Sequence, residues 1–590
     1  MAEMRRNFMV MILVNWFYIA ATTFLAGYGI LSLFSQIFDY KIRHTVSCFL
    51  AGLVFITVYA QFFSLFSGVS TGANLLLIAG CLVIVVVCRK SLSIFGAEKI
   101  AELNTKKWKY VAYAFLVLLM AYGTSRGYMH FDTGLYHAQS IRWIEEYGVV
   151  PGLGNVQARF GYNSAAFPLT ALYSMKGVFG QSLHTTAGFF ALLGSVFALD
   201  LYKVFREKRI RLADFVRIGL VFYLSVIFSE MMSPASDYYA QLLLFMILIL
   251  WLEEDDYQKD AGIENPVPYG LICILIVYAV TIKFSVAVLL LFVIKPAMML
   301  LKSREGKQIG VFLAGGFLTV VPFFIRNVMI TGWLVYPFAG IDLFDVDWKM
   351  PKWQVQFDAT EIGVYGKGLN DVSKQNLPFS EWVPPWFENL KALEKVLIIL
   401  TVAAILAGII YLVYYIGLML KYKSCKNMNS KKMLWNRGWN FPLVFMVFAA
   451  SAIFWFVSAP LVRYGYAYVT VIPLIIFGYF FLRLMQSKRI KKYEKILHTA
   501  FCLAVIGFLF TRINGLGNDI ARTWKEPYYF AQMDYVDGEA ETKVVDGVTF
   551  YVPVNAGQIG YEKFPSSVFA LPFELRGESI EEGFRQLSLK

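Results

Sequence analysis

Residues 109–147 read KYVAYAFLVLLMAYGTSRGYMHFDTGLYHAQSIRWIEEY, and the change of character at Arg126 decides the fold. Up to Ser125 the stretch has the composition of a membrane span; directly after it come His130, Asp132, Tyr136, His137 and Gln139. A titratable segment emerging straight from a span belongs to a polytopic membrane protein whose chemistry sits at the bilayer surface. The rest of the chain agrees. Of its 590 residues 58% are hydrophobic, 17% aromatic and only 16% charged, against roughly 25% charged in an average soluble domain. That excludes an ordinary water-soluble enzyme.

Hydropathy and helix breakers place spans near 8–34, 45–67, 72–88, 109–125, 184–203, 213–232, 238–252, 268–282, 284–301, 309–330, 395–419, 441–459, 466–484 and 496–512, about fourteen in all. The first run is too long for a signal-peptide core and lacks a small-residue cleavage site, so it reads as a retained span. The expected fold is an all-α polytopic membrane protein with juxtamembrane helices and a small C-terminal α+β appendage. It divides into a three-span N-terminal part (1–108), a membrane core (109–513) with loops 126–183 and 331–394, and a tail (514–590). In the tail, Thr542–Val554 (TKVVDGVTFYVPV) reads as two short strands about an Asp-Gly turn.

The 54 Lys and Arg against 41 Asp and Glu give +13. Basic residues gather in five short linkers, around Arg89–Lys109, Lys203–Arg211, Lys302–Lys307, Lys421–Lys432 and Lys488–Lys495. The positive-inside rule puts all five in the cytoplasm if 163–180 does not cross, so the charge reports orientation, and no nucleic-acid partner is expected. Fourteen spans set the N-terminus outside, against Arg5 and Arg6 but with Lys41 and Arg43, and the five larger clusters outweigh this conflict. Both long loops and the tail then face outward. Cys48, Cys81, Cys88, Cys273, Cys425 and Cys502 lie in apolar runs or basic linkers without ligand-like spacing, so neither disulfides nor a cysteine metal site is expected. The chain has no Gly-rich phosphate loop, no HExxH and no nucleophile elbow.

Asp132 is the catalytic candidate. Apolar spacing at Leu135, Ala138, Ile141 and Ile144 predicts a helix lying in the interface, and a second reading makes Asp132 merely its N-cap. His130, Tyr136, His137, Gln139 and Glu145 on the same segment favour a site, because acid–base chemistry needs several hydrogen-bonding groups together. Asp237, in the turn Ser233–Tyr239, faces the same choice between a second carboxylate and a helix cap. Lys283, Arg326 and Arg463 approach the outer leaflet, opposite to the positive-inside preference. A phosphate-bearing substrate at that surface explains all three; snorkelling to headgroups explains any one. Trp333, Trp348, Trp353, Trp382 and Trp386 in the second loop suit an interfacial belt or a sugar-stacking floor.

In this order and on this side, the residues resemble the GT-C superfamily of membrane glycosyltransferases that use polyprenyl-phosphate sugars. Phe131-Asp132-Thr133-Gly134-Leu135-Tyr136-His137 stands where that family keeps an acidic first-loop motif. Ile325-Arg326-Asn327, Thr331-Gly332 and Tyr336-Pro337-Phe338 are similar to its pattern at the end of a middle span, and Thr281-Ile282-Lys283 and Arg463-Tyr464 to recurring basic positions. Trp143, Glu146-Tyr147-Gly148, Pro151-Gly152-Leu153, Asn163-Ser164, Leu575-Arg576-Gly577 and Gly583-Phe584-Arg585 resemble a bacterial group associated with surface-polysaccharide synthesis. The resemblance covers the chain from about residue 109 and implies a GT-C-like core of about eleven spans behind three added ones.

It implies a glycosyltransferase, of inverting type, in the bacterial plasma membrane with its site facing outward. A sugar would pass from a polyprenyl-phosphate donor to a cell-surface glycan or lipid-linked acceptor. Asp132 would be the base, and His137, Tyr136, Asp237, Lys283, Arg326, Arg463 and Tyr464 would bind substrate. No nucleotide cofactor is expected. Many members carry an acidic pair, whereas Asp132 is followed by Thr133, which leaves dependence on a divalent cation open. The rival functions are a flippase or transporter of lipid-linked oligosaccharides, and a polysaccharide polymerase or ligase using diphosphate-linked chains.

Overall fold

The computed structural model describes residues 10–38, 40–423, 439–526, 530–536, 538–555, 557–568 and 572–587. Arg5, Arg6, Cys425, Lys426, Lys431 and Lys432 lie outside the described residues. Ten helices among the described residues are long and apolar enough to cross a bilayer, or eleven if Thr71–Val87 and Arg89–Thr105, bent by 83°, form one span.

The other expected windows are helical but are shorter or less apolar than these ten. Leu212–Ile227 and Val267–Ile282 have 16 residues each, about 24 Å against a hydrocarbon core of ~30 Å. Thr71–Val87 stops at its bend after 17 residues. Lys107–Ser125 is long enough, but Lys107, Lys109, Trp108 and three tyrosines dilute its apolar character. The apolar run after Lys283 is helical in two pieces, a 3₁₀ turn over Phe284–Val293 and an α-helix over Ile294–Ser303.

The axis of the bundle is Ser236–Ala261, whose apolar window is 83% buried, more than that of any other span. Thr186–Leu199, Leu212–Ile227, Val267–Ile282 and Val462–Gln486 surround it. The N-terminal helices are built into this core. Asn15 donates to the Tyr173 carbonyl at 2.7 Å, and the Thr57 and Tyr278 hydroxyls pair at 3.0 Å. Met11–Phe38 and Val46–Phe63 pack backbone to backbone through Gly27 and Gly52.

The amphipathic stretch after Asp132 forms a π-turn, Thr133–His137, and a helix, Ala138–Glu146. Its apolar stripe is covered by protein rather than left for lipid. Ile141 and Ile144 join the bundle core, while Gln139, Arg142 and Glu145 on its polar side hydrogen-bond the tail. The expected strands form as Ala540–Val545 and Val548–Pro553, antiparallel, with Asp546 (φ 47°) and Gly547 (φ 84°) in the turn. A second hairpin pairs Phe573–Leu575 with Phe584–Gln586. Phe564 and Phe584 pack on Trp143 at 4.8 and 6.0 Å between ring centres, which seats the tail on loop 126–183.

Three of the five tryptophans singled out in loop 331–394 are buried in protein and so are not free for a belt or a floor. Trp333, Trp382 and Trp386 are buried, the Trp333 and Trp386 indoles donate to backbone carbonyls at 2.9 Å, and Trp353 is exposed. The loop has folded inward on its own helices, and polar backbone groups satisfy the indole N–H groups that headgroups would otherwise meet.

A Cβ added at Gly52 would stand 1.8 Å from the Thr23 carbonyl oxygen, whereas one at Gly96 meets nothing within 4 Å. Gly52→Val is therefore expected to lose ~1–3 kcal/mol or more by overpacking, read as a lowered midpoint of thermal unfolding in micelles. Gly96→Ala leaves the midpoint unchanged or slightly raised.

Candidate functional site

Four separate elements end at one place. Asp132 follows the Lys107–Ser125 helix, Asp237 opens the Ser236–Ala261 helix, Lys283 closes Val267–Ile282, and Arg463 and Tyr464 open Val462–Gln486. The Arg463 Nη2 lies 3.2 Å from Asp132 Oδ2 and its Nε 3.6 Å from Asp237 Oδ2, so one guanidinium joins both carboxylates. Lys283 donates to Asp237 Oδ1, and its Nζ stands 4.3 Å from the centre of the Tyr464 ring. Asp237 is 6% exposed, while Asp132, Arg463 and Lys283 are 22–27% exposed, so the second carboxylate is committed to the protein and the other three groups keep an open side.

Neither aspartate makes a side-chain capping bond, although Asp132 stands at the N-cap position of the Thr133–His137 turn. Asp132 has helical dihedrals and no capping hydrogen bond, and Asp237 lies inside its helix, which Ala235 caps. Their carboxylates turn to Arg463 and Lys283 instead.

Local chemistry fixes each element. Gly127 has φ 122°, and a Cβ there would meet the Ser229 carbonyl oxygen at 2.2 Å, so glycine lets the chain press against the turn that leads to Asp237. Tyr128 N–H donates to Ser229 O, and His130 N–H to Ser233 Oγ, both at 2.7 Å. One turn beyond Asp237, Gln241 donates to the Arg463 carbonyl at 2.6 Å and accepts from Ala467 N–H at 2.9 Å, locking the two helix starts together. The helix carrying Lys283 breaks there into extended backbone (φ −148°). Two carbonyls at its end are satisfied by loop 126–183: Ala165 N–H donates to Thr281 O at 3.0 Å and Ser164 Oγ to Ile282 O at 2.8 Å.

His130 stands between Asp132 and Arg463. Its Nδ1 accepts from Asp132 N–H at 3.1 Å, and the ring touches the guanidinium. Burial, with the Arg463 charge beside it, pulls its pKa below the usual histidine range. Tyr136 is half-buried, its phenol pushed well above the ordinary tyrosine range by burial and by the nearby Asp132 charge. Its ring meets Tyr162 edge-on at 5.6 Å.

Two predicted residues stand outside this contact set. His137 is buried against Phe167, with Nδ1 3.3 Å from Thr133 Oγ1. Arg326 is 2% exposed; its Nε donates to Asn163 Oδ1 at 2.9 Å and its Nη1 to Ser64 Oγ, and among the described residues no carboxylate pairs with it. It acts from behind: Asn163 precedes the two residues that hold the end of the Lys283 helix.

Sequence reasoning missed Gln241 and Asp358. Tyr162 and Tyr336 both donate to the buried Asp358 carboxylate, at 2.9 and 3.0 Å, tying loop 331–394 to loop 126–183. Burial pushes this carboxyl up to about 6, against the two hydroxyls that lower it. Nothing in its local sequence sets Asp358 apart. Gln241 carried a weak signal, as a polar residue one turn after Asp237 in an apolar run.

Residues 9–470 match the family described as Domain of unknown function (DUF8201), and the chain belongs to that family. Comparison with curated proteins finds no match.

Burial holds the His137 pKa down to about 3. Between about 6.5 and 3 the unfolded chain binds a proton there that the folded chain refuses, so stability falls as the pH drops through this window. His137→Asn should flatten the acid side of the stability profile by up to about 1.4 kcal/mol per pH unit, measured by unfolding at stepped pH. Asp237→Asn leaves Lys283 and Arg463 short of a carboxylate and should cost about 1–3 kcal/mol; adding Lys283→Met should recover part of that loss in the same assay.

Proposed function

We propose that this member of the DUF8201 family is a membrane glycosyltransferase, moving a sugar from a polyprenyl-phosphate donor to a glycan or lipid-linked acceptor on the extracytoplasmic side of a bacterial plasma membrane. The observation that carries the reading is the convergence of Asp132, Lys283 and Arg463, each partly open, around the buried Asp237. One carboxylate and two cations with free sides, at the end of a membrane bundle, suit a reaction that takes a proton from a hydroxyl and releases a phosphate. Orientation rests on the basic linkers: Lys203–Arg211 and Lys302–Lys307 lie at the helix ends opposite to this cluster.

In the proposed step the acceptor oxygen bonds to the anomeric carbon as the bond from that carbon to the phosphate oxygen breaks. The acceptor proton passes to the Asp132 carboxylate. The electron pair leaves with the polyprenyl phosphate, whose growing charge Lys283 and Arg463 stabilise where water is scarce. Asp237 acts through the cations, holding both in place before the donor arrives. His130, kept neutral by burial and Arg463, adds no competing positive charge beside Asp132. Tyr136 and Tyr464 supply aromatic walls and hydroxyls at the same edge. Arg326 and His137 support the loop and the Lys283 helix end rather than meeting substrate.

The test is transfer of labelled sugar in proteoliposomes supplied with polyprenyl-phosphate donors. Asp132→Asn should lower turnover by about 10² or more in protein that is still made and inserted in full amount, and Arg463→Lys should reduce it through loss of the planar fork. Full transfer by Asp132→Asn overturns the assignment. Movement of intact donor across the vesicle wall without sugar transfer replaces it with a flippase, and transfer only from diphosphate-linked chains replaces it with a polymerase or ligase.

A further inference from the structure

A cavity of about 580 Å³ opens among the helices at the other end of the bundle. Asp237 and Asp256 lie on one helix, nineteen residues apart and so about 29 Å at 1.5 Å per residue, so this cavity and the Asp132 cluster occupy opposite membrane surfaces. Its wall is graded. Leu50, Val54, Leu275 and Leu318 line the shaft, and Arg43, Lys203, Arg211, Glu253 and Asp256 gather at the mouth.

The dimensions are those of one leaflet. Along the Val46–Phe63 helix the lining runs from Ser47 to Val58, about 16 Å of rise, or half of a ~30 Å hydrocarbon core. The chamber is also open sideways. Its lining on the Val46–Phe63 and Gly306–Thr331 helices includes Phe55 and Leu318, which are 47% and 64% exposed on the side of the bundle. A lipid tail can enter there from the bilayer.

The mouth specifies the head. Arg43 pairs with Glu254 and stacks over Tyr257 at 3.8 Å; Lys203 pairs with Asp200 at 2.8 Å, Arg211 with Glu207 at 3.0 Å, and Glu253 is held by Arg217. Asp256, half-buried in the same wall, has no hydrogen bond or ion pair to any described residue. The charges of Lys259, Arg209 and Arg211 reach it from a distance, but no donor touches it, so a cationic group entering the mouth would be its first direct partner. Lys203 and Arg211, which line the same cavity, are 24% exposed and can each donate to one more oxygen.

We propose that this cavity is a lipid site selective for a phospholipid with a primary ammonium headgroup. The ammonium would sit on Asp256, the phosphate beside Lys203 and Arg211, and one acyl chain in the shaft between the N-terminal helix pair and the core. An anionic headgroup without an ammonium leaves Asp256 unmatched and adds a repulsion.

The experiment uses the full chain in nanodiscs of equal phosphatidylethanolamine and phosphatidylglycerol, released gently and weighed by native mass spectrometry. One phosphatidylethanolamine per chain should be retained in preference to phosphatidylglycerol. Asp256→Asn should reduce that preference about tenfold, and Ala51→Trp, which fills the shaft, should abolish retention of either lipid. Unfolding midpoints in phosphatidylcholine discs should rise when the amine lipid is added to the natural chain and not to Asp256→Asn. Equal retention of both lipids by the natural chain, or an undiminished preference in Asp256→Asn, overturns the proposal. Because Asp256→Asn is nearly isosteric, it decides the question even if Ala51→Trp does not fold.

Discussion

The bridge from Arg463 to Asp132 and Asp237 is the interaction on which this architecture turns. A guanidinium at the edge of a bilayer is costly unless its charge is met, and two carboxylates from elements more than a hundred residues apart meet it. Each carboxylate is costly in turn without that cation. The pairing therefore does more than decorate helix ends: it requires the loop after Ser125, the start of the axial helix and the start of Val462–Gln486 to arrive together. Lys283 completes the balance from a fourth direction, and the break in its helix frees the backbone that loop 126–183 then occupies.

Behind this front lies a layer made of hydrogen bonds. Arg326, Asn163 and Ser64 form a buried polar knot linking the N-terminal helix pair, the first long loop and the Gly306–Thr331 helix. No carboxylate relieves the Arg326 charge among the described residues, so the knot depends on neutral oxygens, an arrangement that stays specific because any missing acceptor leaves a cation unsolvated. The Tyr162–Asp358–Tyr336 bridge plays the matching part between the two long loops.

Much of this was legible in the sequence, and for physical reasons. Asp132, Asp237, Lys283 and Arg463 stood out because charge beside an apolar run is expensive and each occurred where a span ends. The Asp-Gly hairpin was legible because few residues adopt its left-handed turn. Arg326 carried the same signal as Arg463, yet its charge points into a polar knot; hydropathy marks a cation near a surface but not the direction of its side chain. Ten of the fourteen expected windows are helices long and apolar enough to cross a bilayer, whereas Thr71–Val87, Lys107–Ser125, Leu212–Ile227 and Val267–Ile282 are helices that are shorter or less apolar. That both faces of Ala138–Glu146 are covered by protein was not legible. Its polar face looked solvated, while its true partner lay some four hundred residues further along.

That distant partnership orders events in time. Gln139 bonds the Gly560 and Lys563 carbonyls, Arg142 those of Tyr561 and Glu562, and Glu145 the Tyr561 hydroxyl. None of these bonds can exist while the ribosome is still building the intervening chain. The polar flank of the segment bearing Asp132 therefore stays uncovered until residues 560–563 have been made. A product that stalls before these residues would thus leave the Gln139, Arg142 and Glu145 side chains without their partners in the tail.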